Sequence, residues 1–166
     1  MADKPSVIRD TDQEARELAR SLLSEARFAA IGVVDPESGY PSVSRIILMT
    51  DSDNTPVILA SRLANHTQGI LNDPRCSLLV GEPADKGDPL VHPRMTVYCL
   101  AAEVARDSDD HKSLRESFLL SHPKAKLYID FPDFSFFRLA PQRAALNGGF
   151  GKAFLLTADD LRVPSA

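Results

Sequence analysis

Short strand-like segments that follow one another along the chain most constrain the fold of this sequence of 166 residues. Apolar and β-branched residues predict strands at residues 28–34, 40–49, 56–61, 76–80, 95–104, 135–139 and 143–146. Turn signals at residues 35–39 and 51–54 join the first three into a predicted antiparallel meander. The strands do not alternate regularly with long helices, and no glycine-rich dinucleotide motif is present. The sequence therefore predicts a mainly β fold, an antiparallel barrel with peripheral helices, rather than a doubly wound parallel sheet.

Helices are predicted at residues 12–25, 65–72 and 108–120, with a further short helix after Pro123. Thr11 is the expected cap of the first helix, with Glu14 completing a capping box. The apolar stripe of this helix consists of Ala15, Leu18, Ala19 and Leu22. Asn65 is the expected cap of the second helix, with Gln68 at the capping-box position. No repeat or linker interrupts the pattern, so residues 1–166 are expected to form a single domain.

Composition argues against several broad classes of protein. The formal net charge of −4 gives no general electrostatic reason to bind nucleic acid. No stretch approaches the roughly 20 apolar residues that span a bilayer, and the N-terminus lacks the pattern of a secretory signal. A cytoplasmic protein without membrane association is therefore expected. Cys76 and Cys99 lie in strand-like segments and are expected to be buried free thiols. The four histidines share no metal-ligand spacing, so no metal site is predicted.

Two segments in the first half of the chain suggest a bound anion. Arg45 lies in an otherwise apolar strand, and an unpaired buried guanidinium is very costly. The next strand ends at Ser61 and leads into the helix start Asn65-His66-Thr67-Gln68, whose N–H groups, hydroxyl and imidazole can hold an anion. The pattern predicts a phosphate between Arg45 and this helix end, within reach of Ser61. In the simpler interpretation, Arg45 is a strand-edge arginine with an exposed tip, His66 a first-turn residue and Asn65 a cap.

A second candidate group lies near the C-terminus. It consists of Arg143, Asn147 and the run Gly148-Gly149-Phe150-Gly151. Glycine permits a close approach of the backbone to a ligand or a partner subunit. The alternative is a tight turn into the last strand. His111 and His122 lie in polar, helix-rich sequence and are expected to be solvated.

Several of these segments together resemble a known family. The similar segments are Ser44-Arg45-Ile46-Ile47-Leu48, Ser61 to Thr67, Asn72 to Leu79, Phe137-Arg138-Leu139 and Ala145 to Ala153. They resemble the pyridoxamine 5′-phosphate oxidase-like FMN-binding split-barrel superfamily, and most closely its haem-utilisation (HugZ-type) subgroup. The resemblance covers most of residues 25–155. It implies a six-stranded antiparallel split barrel that forms a homodimer, with FMN in two clefts between the subunits.

The resemblance also implies roles for individual residues. Arg45 is the expected contact of the FMN phosphate. The backbone of the next three residues, Ile46, Ile47 and Leu48, is expected beside the isoalloxazine ring. In the oxidases a basic pair near the next helix start completes the phosphate site, and here Asn65-His66-Thr67 occupies that place. A hydroxyl, an imidazole and helix N–H groups can hold a phosphate with less positive charge.

Two departures from the family pattern bear on function. The chain ends near the close of the barrel, so the extra C-terminal domain of longer haem-utilisation proteins is expected to be absent. The sequence has no Trp, so vitamin B6 oxidation is not expected. No nucleophile motif is present and the catalytic residues are unknown. The first expectation is a flavin-dependent oxidoreductase of unknown substrate, in which the cofactor carries the chemistry. The alternatives are a non-catalytic flavin- or haem-binding carrier and a structural dimer with a vestigial pocket.

Overall fold

A computed structural model describes residues 7–164 of the chain. The strands in this range are β1 (Ile8–Arg9), β2 (Phe28–Val34), β3 (Pro41–Ile47), β4 (Met49–Thr50), β5 (Pro56–Ser61), β6 (Arg75–Val80), β7 (Arg94–Glu103), β8 (Phe134–Asn147) and β9 (Ala153–Thr157). The α-helices are α1 (Gln13–Ser24), α2 (Asn65–Asn72), α3 (Asp109–Ser121) and α4 (Ala158–Leu161), and 3-10 turns lie at Pro89–Val91 and Pro123–Leu127. None of these helices has the length and apolar content needed to span a bilayer.

Six of the strands form an open barrel. Antiparallel pairing runs in the order β3-β2-β6-β7-β8-β5, and β3 and β5 do not pair with each other in the described part of the chain. The barrel is therefore split between these two strands. Two peripheral strands extend the sheet, because β9 pairs with β8 and the short β1 pairs in parallel with β9. The predicted mainly β split barrel with peripheral helices is confirmed.

Two predicted strand arrangements differ from the structure. The meander of three strands forms only in part: β2 and β3 pair antiparallel as predicted, but β5 meets only the two residues of β4 and pairs along its length with β8, from Val57 with Arg138 to Ser61 with Phe134. The two strands predicted at residues 135–139 and 143–146 are one strand, β8. Its register against β7 shifts where Tyr98 opposes Arg143 and the next β7 residue opposes Pro141, so β8 bulges there. A bulge is a place where a strand accepts proline.

The inner side of the barrel holds the main core. Leu23 of α1, Ile31, Leu78, Val97 and Leu139 are all fully buried there. A second apolar cluster fills the space between β5, β8 and α3, where the rings of Phe118 and Phe136 lie 5.5 Å apart. The helix stripe predicted for α1 is confirmed, since its alanines are buried and its leucines pack against the core. Apolar burial is the main stabilising term for such a chain.

The caps of both N-terminal helices differ from the predictions. Asp12 caps α1 by accepting a hydrogen bond from the N–H of Ala15 at 2.8 Å, because the helix begins one residue later than expected. Thr11 instead donates to the carbonyl of Leu155. Asn65 is the first residue of α2, and Ala64 occupies the cap without any side-chain hydrogen bond. An aliphatic cap leaves the first N–H groups of α2 without a side-chain partner.

Candidate functional site

The alternation of side chains along β3 decides which predicted site residues can meet. Residues opposite each other in an antiparallel pair share a face of the sheet. Ser44 lies opposite the fully buried Ile31, so it faces the inside of the barrel. Arg45 lies opposite Ala30 and is exposed on the outer face, with its guanidinium 5.8 Å from the ring centroid of Phe28. The two faces therefore carry different candidate sites.

A cluster of polar side chains on the inner face joins β3 to α2. Asn65 Nδ2 donates to Ser42 Oγ at 3.3 Å, and Ser44 Oγ lies 3.0 Å from His66 Nδ1. Burial lowers the pKa of His66 below its ordinary value, so the imidazole is neutral at pH 7. We call Ser42, Ser44, Asn65 and His66 the β3–α2 polar cluster. With the N–H groups of the first turn of α2, it offers neutral hydrogen-bonding groups to an anion.

The other residues predicted around this helix start are engaged elsewhere. Ser61 Oγ donates to Asp133 Oδ2 at 2.6 Å and accepts from the N–H of Leu63, so its hydroxyl is directed to the loop before β8. Gln68 Nε2 donates to the carbonyl of Arg62. Thr67 is fully buried, and its Oγ1 has no hydrogen-bond partner among the described residues. The helix start therefore brings together only part of the predicted set.

Arg45 and His66 do not form one anion site within a single chain. They lie on opposite faces of β3, and a ligand that touches both has to pass around the free edge of that strand. Of the residues that follow Arg45, Ile46 and Leu48 are buried in the core and Ile47 is half-buried. The Leu48 N–H donates to the Arg27 carbonyl, and its own carbonyl bonds with a histidine Nε2. The backbone of Leu48 is therefore already occupied.

That histidine is His122, and its position corrects the expectation that two histidines are solvated. His122 is half-buried and its Nε2 lies 2.8 Å from the carbonyl oxygen of Leu48. His111 is buried, with its ring 5.1 Å from that of Phe136, and its Nδ1 has no partner in the described chain. The sequence pattern did not show either burial, because α3 directs His111 toward Phe136 of β8 and the residue after α3, His122, reaches the Leu48 carbonyl. Neither histidine makes a hydrogen bond with a member of the β3–α2 polar cluster.

A groove of about 570 Å³ crosses the outer face of the sheet. Its centre is a row of register partners on four neighbouring strands, namely Gly32, Ser77, Tyr98 and Arg143. A Cβ added to Gly32 would meet nothing closer than the Ser77 carbonyl oxygen at 3.9 Å, so the missing side chain leaves open space. The Arg143 guanidinium lies 4.3 Å from the ring centroid of Tyr98. We call this feature the outer groove.

Two arginines line the outer groove with different electrostatic surroundings. Arg75 makes two-pronged hydrogen bonds to the carboxylate of Asp73, which lower the pKa of Asp73 to about 2. Arg143 has no carboxylate partner among the described residues and instead stacks on Tyr98. An arginine seated on an aromatic ring keeps its N–H groups available to an anionic group. Arg143 is therefore the groove cation that is ready to receive a ligand.

Sequence reasoning missed most of the outer groove. Arg143 was predicted as a site residue, but Gly32, Ser77 and Tyr98 were not. The signal was the alternation in β2 and β6, which places the small residues Ala30, Gly32 and Ser77 on the outer face of the sheet. The neighbouring glycine run forms a tight turn from β8 to β9, as the alternative interpretation predicted. Gly149, with φ of 119°, lies so close to the Val91 carbonyl that a Cβ there would sit 3.1 Å from the oxygen.

Apolar side chains surround the groove on the same face. The exposed members are Phe28, Val34, Val43, Leu79, Leu100 and Leu155. They lie on neighbouring strands, from β3 across to β9, and point away from the core by strand alternation. A contiguous apolar face of this kind is rarely left in water on a monomeric protein.

Comparisons with known proteins agree with this architecture. A family model described as pyridoxamine 5′-phosphate oxidase matches residues 15–148. The chain is 37% identical over 117 residues to the chloroplastic non-canonical heme oxygenase HOZ of Arabidopsis thaliana. The match covers 70% of this chain but 35% of the relative, so the chain spans about a third of that protein's length.

Solved structures show the same fold. A heme binding protein from Mycobacterium smegmatis superposes with a TM-score of 0.79 at 27% identity, over 95% of this chain and 60% of that one. HutZ, named as a heme storage protein of Vibrio cholerae, superposes with a TM-score of 0.66 over 81% of this chain and 92% of that one. Its identity of 21% carries an argument for the fold alone.

Proposed function

This chain belongs to the pyridoxamine 5′-phosphate oxidase family, and we propose that it is a haem-binding protein whose haem site is the outer groove. The observation that carries the proposal is a small-residue floor beside an arginine that has no carboxylate partner in the described chain. Two relatives above 25% identity support it, since one is named a heme oxygenase and the other a heme binding protein.

The residues of the outer groove fit a flat, largely apolar ligand with acidic arms. The volume of about 570 Å³ falls within the range of about 300–1,000 Å³ that small-molecule sites occupy. The glycine in β2 leaves the floor low enough for a planar ring to approach the backbone. Arg143 offers a planar, fixed charge that can pair with a carboxylate such as a haem propionate. Bound haem would supply the redox chemistry of its iron, and the chain would bind and orient it.

Storage or delivery of haem fits the groove better than catalysis by the protein itself. Among the described residues the groove lining contains no aspartate, glutamate or histidine, and burial moves the pKa of its two cysteine thiols further above neutral pH. A carrier needs shape, apolar contact and a charge for the acidic arms, and the outer groove offers these three. We therefore propose a binding role and assign no catalytic residue.

Flavin mononucleotide is a second candidate ligand because of the β3–α2 polar cluster. The cluster gathers two hydroxyls, an amide and a neutral imidazole at a helix start whose cap, Ala64, has no polar side chain. Such a set can receive a phosphate dianion. Arg45 lies across the edge of β3 and would join the site only for a ligand that spans this edge.

We further propose that two copies associate through the apolar outer face. Pairing would remove the exposed apolar side chains from water and would enclose the groove. Sedimentation or light scattering tests this with the protein at micromolar concentration. A mass near twice 18.2 kDa, about 36 kDa, supports the dimer, and a mass of 18.2 kDa across the concentration series refutes it.

Titration with ferric haem (hemin) chloride tests the proposed ligand, with absorbance as the readout and FMN fluorescence quenching in parallel. Gly32→Leu fills the groove floor from an outward position and should weaken hemin binding by at least roughly tenfold, which corresponds to about 1.4 kcal/mol. Ala102→Leu is the matched control, because Ala102 is exposed on β7 outside the groove lining.

The outcomes separate the candidates. Saturable hemin binding that Gly32→Leu weakens and Ala102→Leu does not supports haem in the outer groove. Hemin binding that both variants leave unchanged refutes this location. If the protein binds FMN but not hemin, the result favours flavin mononucleotide, the second candidate ligand. If it binds neither ligand, the result favours a structural dimer with a vestigial pocket.

A further inference from the structure

The outer groove raises the question of which side chain could bind the iron of a haem. Proteins hold haem iron through histidine, cysteine thiolate, methionine or tyrosine. The four histidines of the chain lie outside the groove lining. Each has its own surroundings: His66 meets Ser44, His92 the Lys86 carbonyl and His122 the Leu48 carbonyl, while His111 is buried against Phe136.

The sulfur-containing side chains are also poorly placed to bind iron in the groove. Cys76 and Cys99 oppose each other on β6 and β7, and both side chains belong to the buried core, with 6% and 3% of their surface exposed. Met49 and Met95 are buried as well. Both cysteines border the groove, but burial raises the pKa of each thiol, so neither is ready to bind iron as a thiolate.

Tyr98 is different from all of these groups. It is half-buried in the central row of the groove, between Ser77 and Arg143 on the neighbouring strands. Its phenolic oxygen makes no hydrogen bond within the described chain, so no group of the same chain competes for it. Buried or partly buried tyrosine hydroxyls usually have a partner. A tyrosine in an apolar groove without one is a group available to a ligand.

We infer that Tyr98 is the protein ligand of the haem iron and that Arg143 is its positioning residue. The inference rests on the proposed haem function. On binding, the phenolic O–H bond breaks, its proton passes to water, and the oxygen forms a bond to ferric iron in place of a weak ligand such as water. The oxidation state of the iron does not change.

Arg143 supports this role in two ways. Its guanidinium lies 4.3 Å from the ring centroid, which fixes the ring from one side. Its positive charge also stands beside the negative charge that a coordinated phenolate carries, an interaction that strengthens where water is excluded. The pair Tyr98–Arg143 thus combines an oxygen ligand with a neighbouring cation on adjacent strands of a rigid sheet.

The test uses the full chain with hemin chloride, recorded by absorbance, electron paramagnetic resonance and resonance Raman spectroscopy. The wild type should give a high-spin ferric spectrum with enhanced phenolate vibrations. Tyr98→Phe should lose those vibrations and bind hemin at least roughly tenfold more weakly. Tyr98→His should give a different, imidazole-type spectrum. Tyr128→Phe is the matched control, because Tyr128 packs against Phe134 away from the groove.

The outcomes distinguish this inference from the function on which it rests. Hemin binding with spectra that neither Tyr98 variant changes overturns Tyr98 as the ligand and leaves the haem function standing. A wild type that does not bind hemin overturns both. Arg143→Gln tests the positioning role, and it should shift the phenolate vibrations while hemin still binds; an unchanged spectrum refutes that role. Circular dichroism shows whether each variant is folded.

Discussion

Gly69→Ala should destabilise the protein even though alanine is the better helix former. Gly69 lies in the middle of α2 and faces β2. A Cβ placed there would lie 2.7 Å from Val33 Cγ2, 3.0 Å from Val33 Cβ and 3.2 Å from the Val34 carbonyl oxygen. Only glycine lets α2 dock this closely, and this docking holds the β3–α2 polar cluster in place.

Two opposing effects set the magnitude. Replacing a helical glycine by alanine stabilises a helix by about 1 kcal/mol. The clash acts the other way, since carbon atoms prefer a separation of about 3.5–4.0 Å and α2 must move by roughly 1 Å. Overpacking of this kind costs about 1–3 kcal/mol. Val33 is buried and the Val34 carbonyl is backbone, so neither can turn aside. The clash should win, with a net loss of about 1 kcal/mol.

Urea unfolding followed by circular dichroism measures this loss as a lower midpoint at unchanged slope. The same substitution made in the Val33→Ala variant tests whether the clash with Val33 causes the loss of stability. In Val33→Ala the nearest clashing atom is gone, so Gly69→Ala should cost less there by about 0.5 kcal/mol or more, a coupling typical of residues in contact. Equal costs in the two backgrounds, or a stabilised single variant, would show that α2 does not depend on a glycine at this contact.

Three further predictions concern other parts of the fold. Phe118→Ala should lower the free energy of unfolding by about 3–5 kcal/mol in urea titrations, because the ring is fully buried. The pKa of His111 is lowered by burial, then by Arg106 and Arg115. The unfolded chain therefore binds this proton at higher pH, and stability that is complete above about pH 6.5 should fall as the pH drops below it, less so in His111→Phe. Burial raises the pKa of Cys76 to about 12, so thiol reagents at pH 8 should label it only after unfolding.

The strands were predictable because the alternation of apolar and polar residues is visible within each short segment. The pairings between strands that are distant in the sequence were not predictable. Strand β2 and helix α2 have the predicted bounds, since turn residues and Pro74 delimit them in the sequence. Pairing of β5 with β8 joins residues that are about eighty positions apart in the sequence, such as Val57 and Arg138, and neither segment carries a register signal. The strand β9 was predicted only as a last strand without bounds, in the alternative interpretation of the glycine run, although Phe154 and Leu156 alternate as buried residues within it.

The candidate site shows a different limit. Arg45 was placed in an anion site because a buried guanidinium needs a partner, yet Arg45 is exposed and needs none. Strand alternation alone indicates that Arg45 and Ser44 point to opposite sides, but not which side is the core. That choice depends on β2 and β6, because Ser44 faces inward only through its pairing with the buried Ile31. A site residue on a strand is therefore predictable only together with its neighbours in the sheet.

The position of β3 at the split gives the two candidate ligands different requirements. Haem in the outer groove would lie mainly on β2, β6, β7 and β8 and would meet β3 only at Pro41. Flavin with its phosphate at the β3–α2 polar cluster could contact Arg45 only by crossing that edge. Changes at Ser44 and His66 should therefore affect flavin binding alone, and changes at Tyr98 haem binding alone. Because the two sites lie on opposite faces of the sheet, a mutation can weaken the binding of one ligand and leave the binding of the other unchanged. The barrel that carries both sites stays intact.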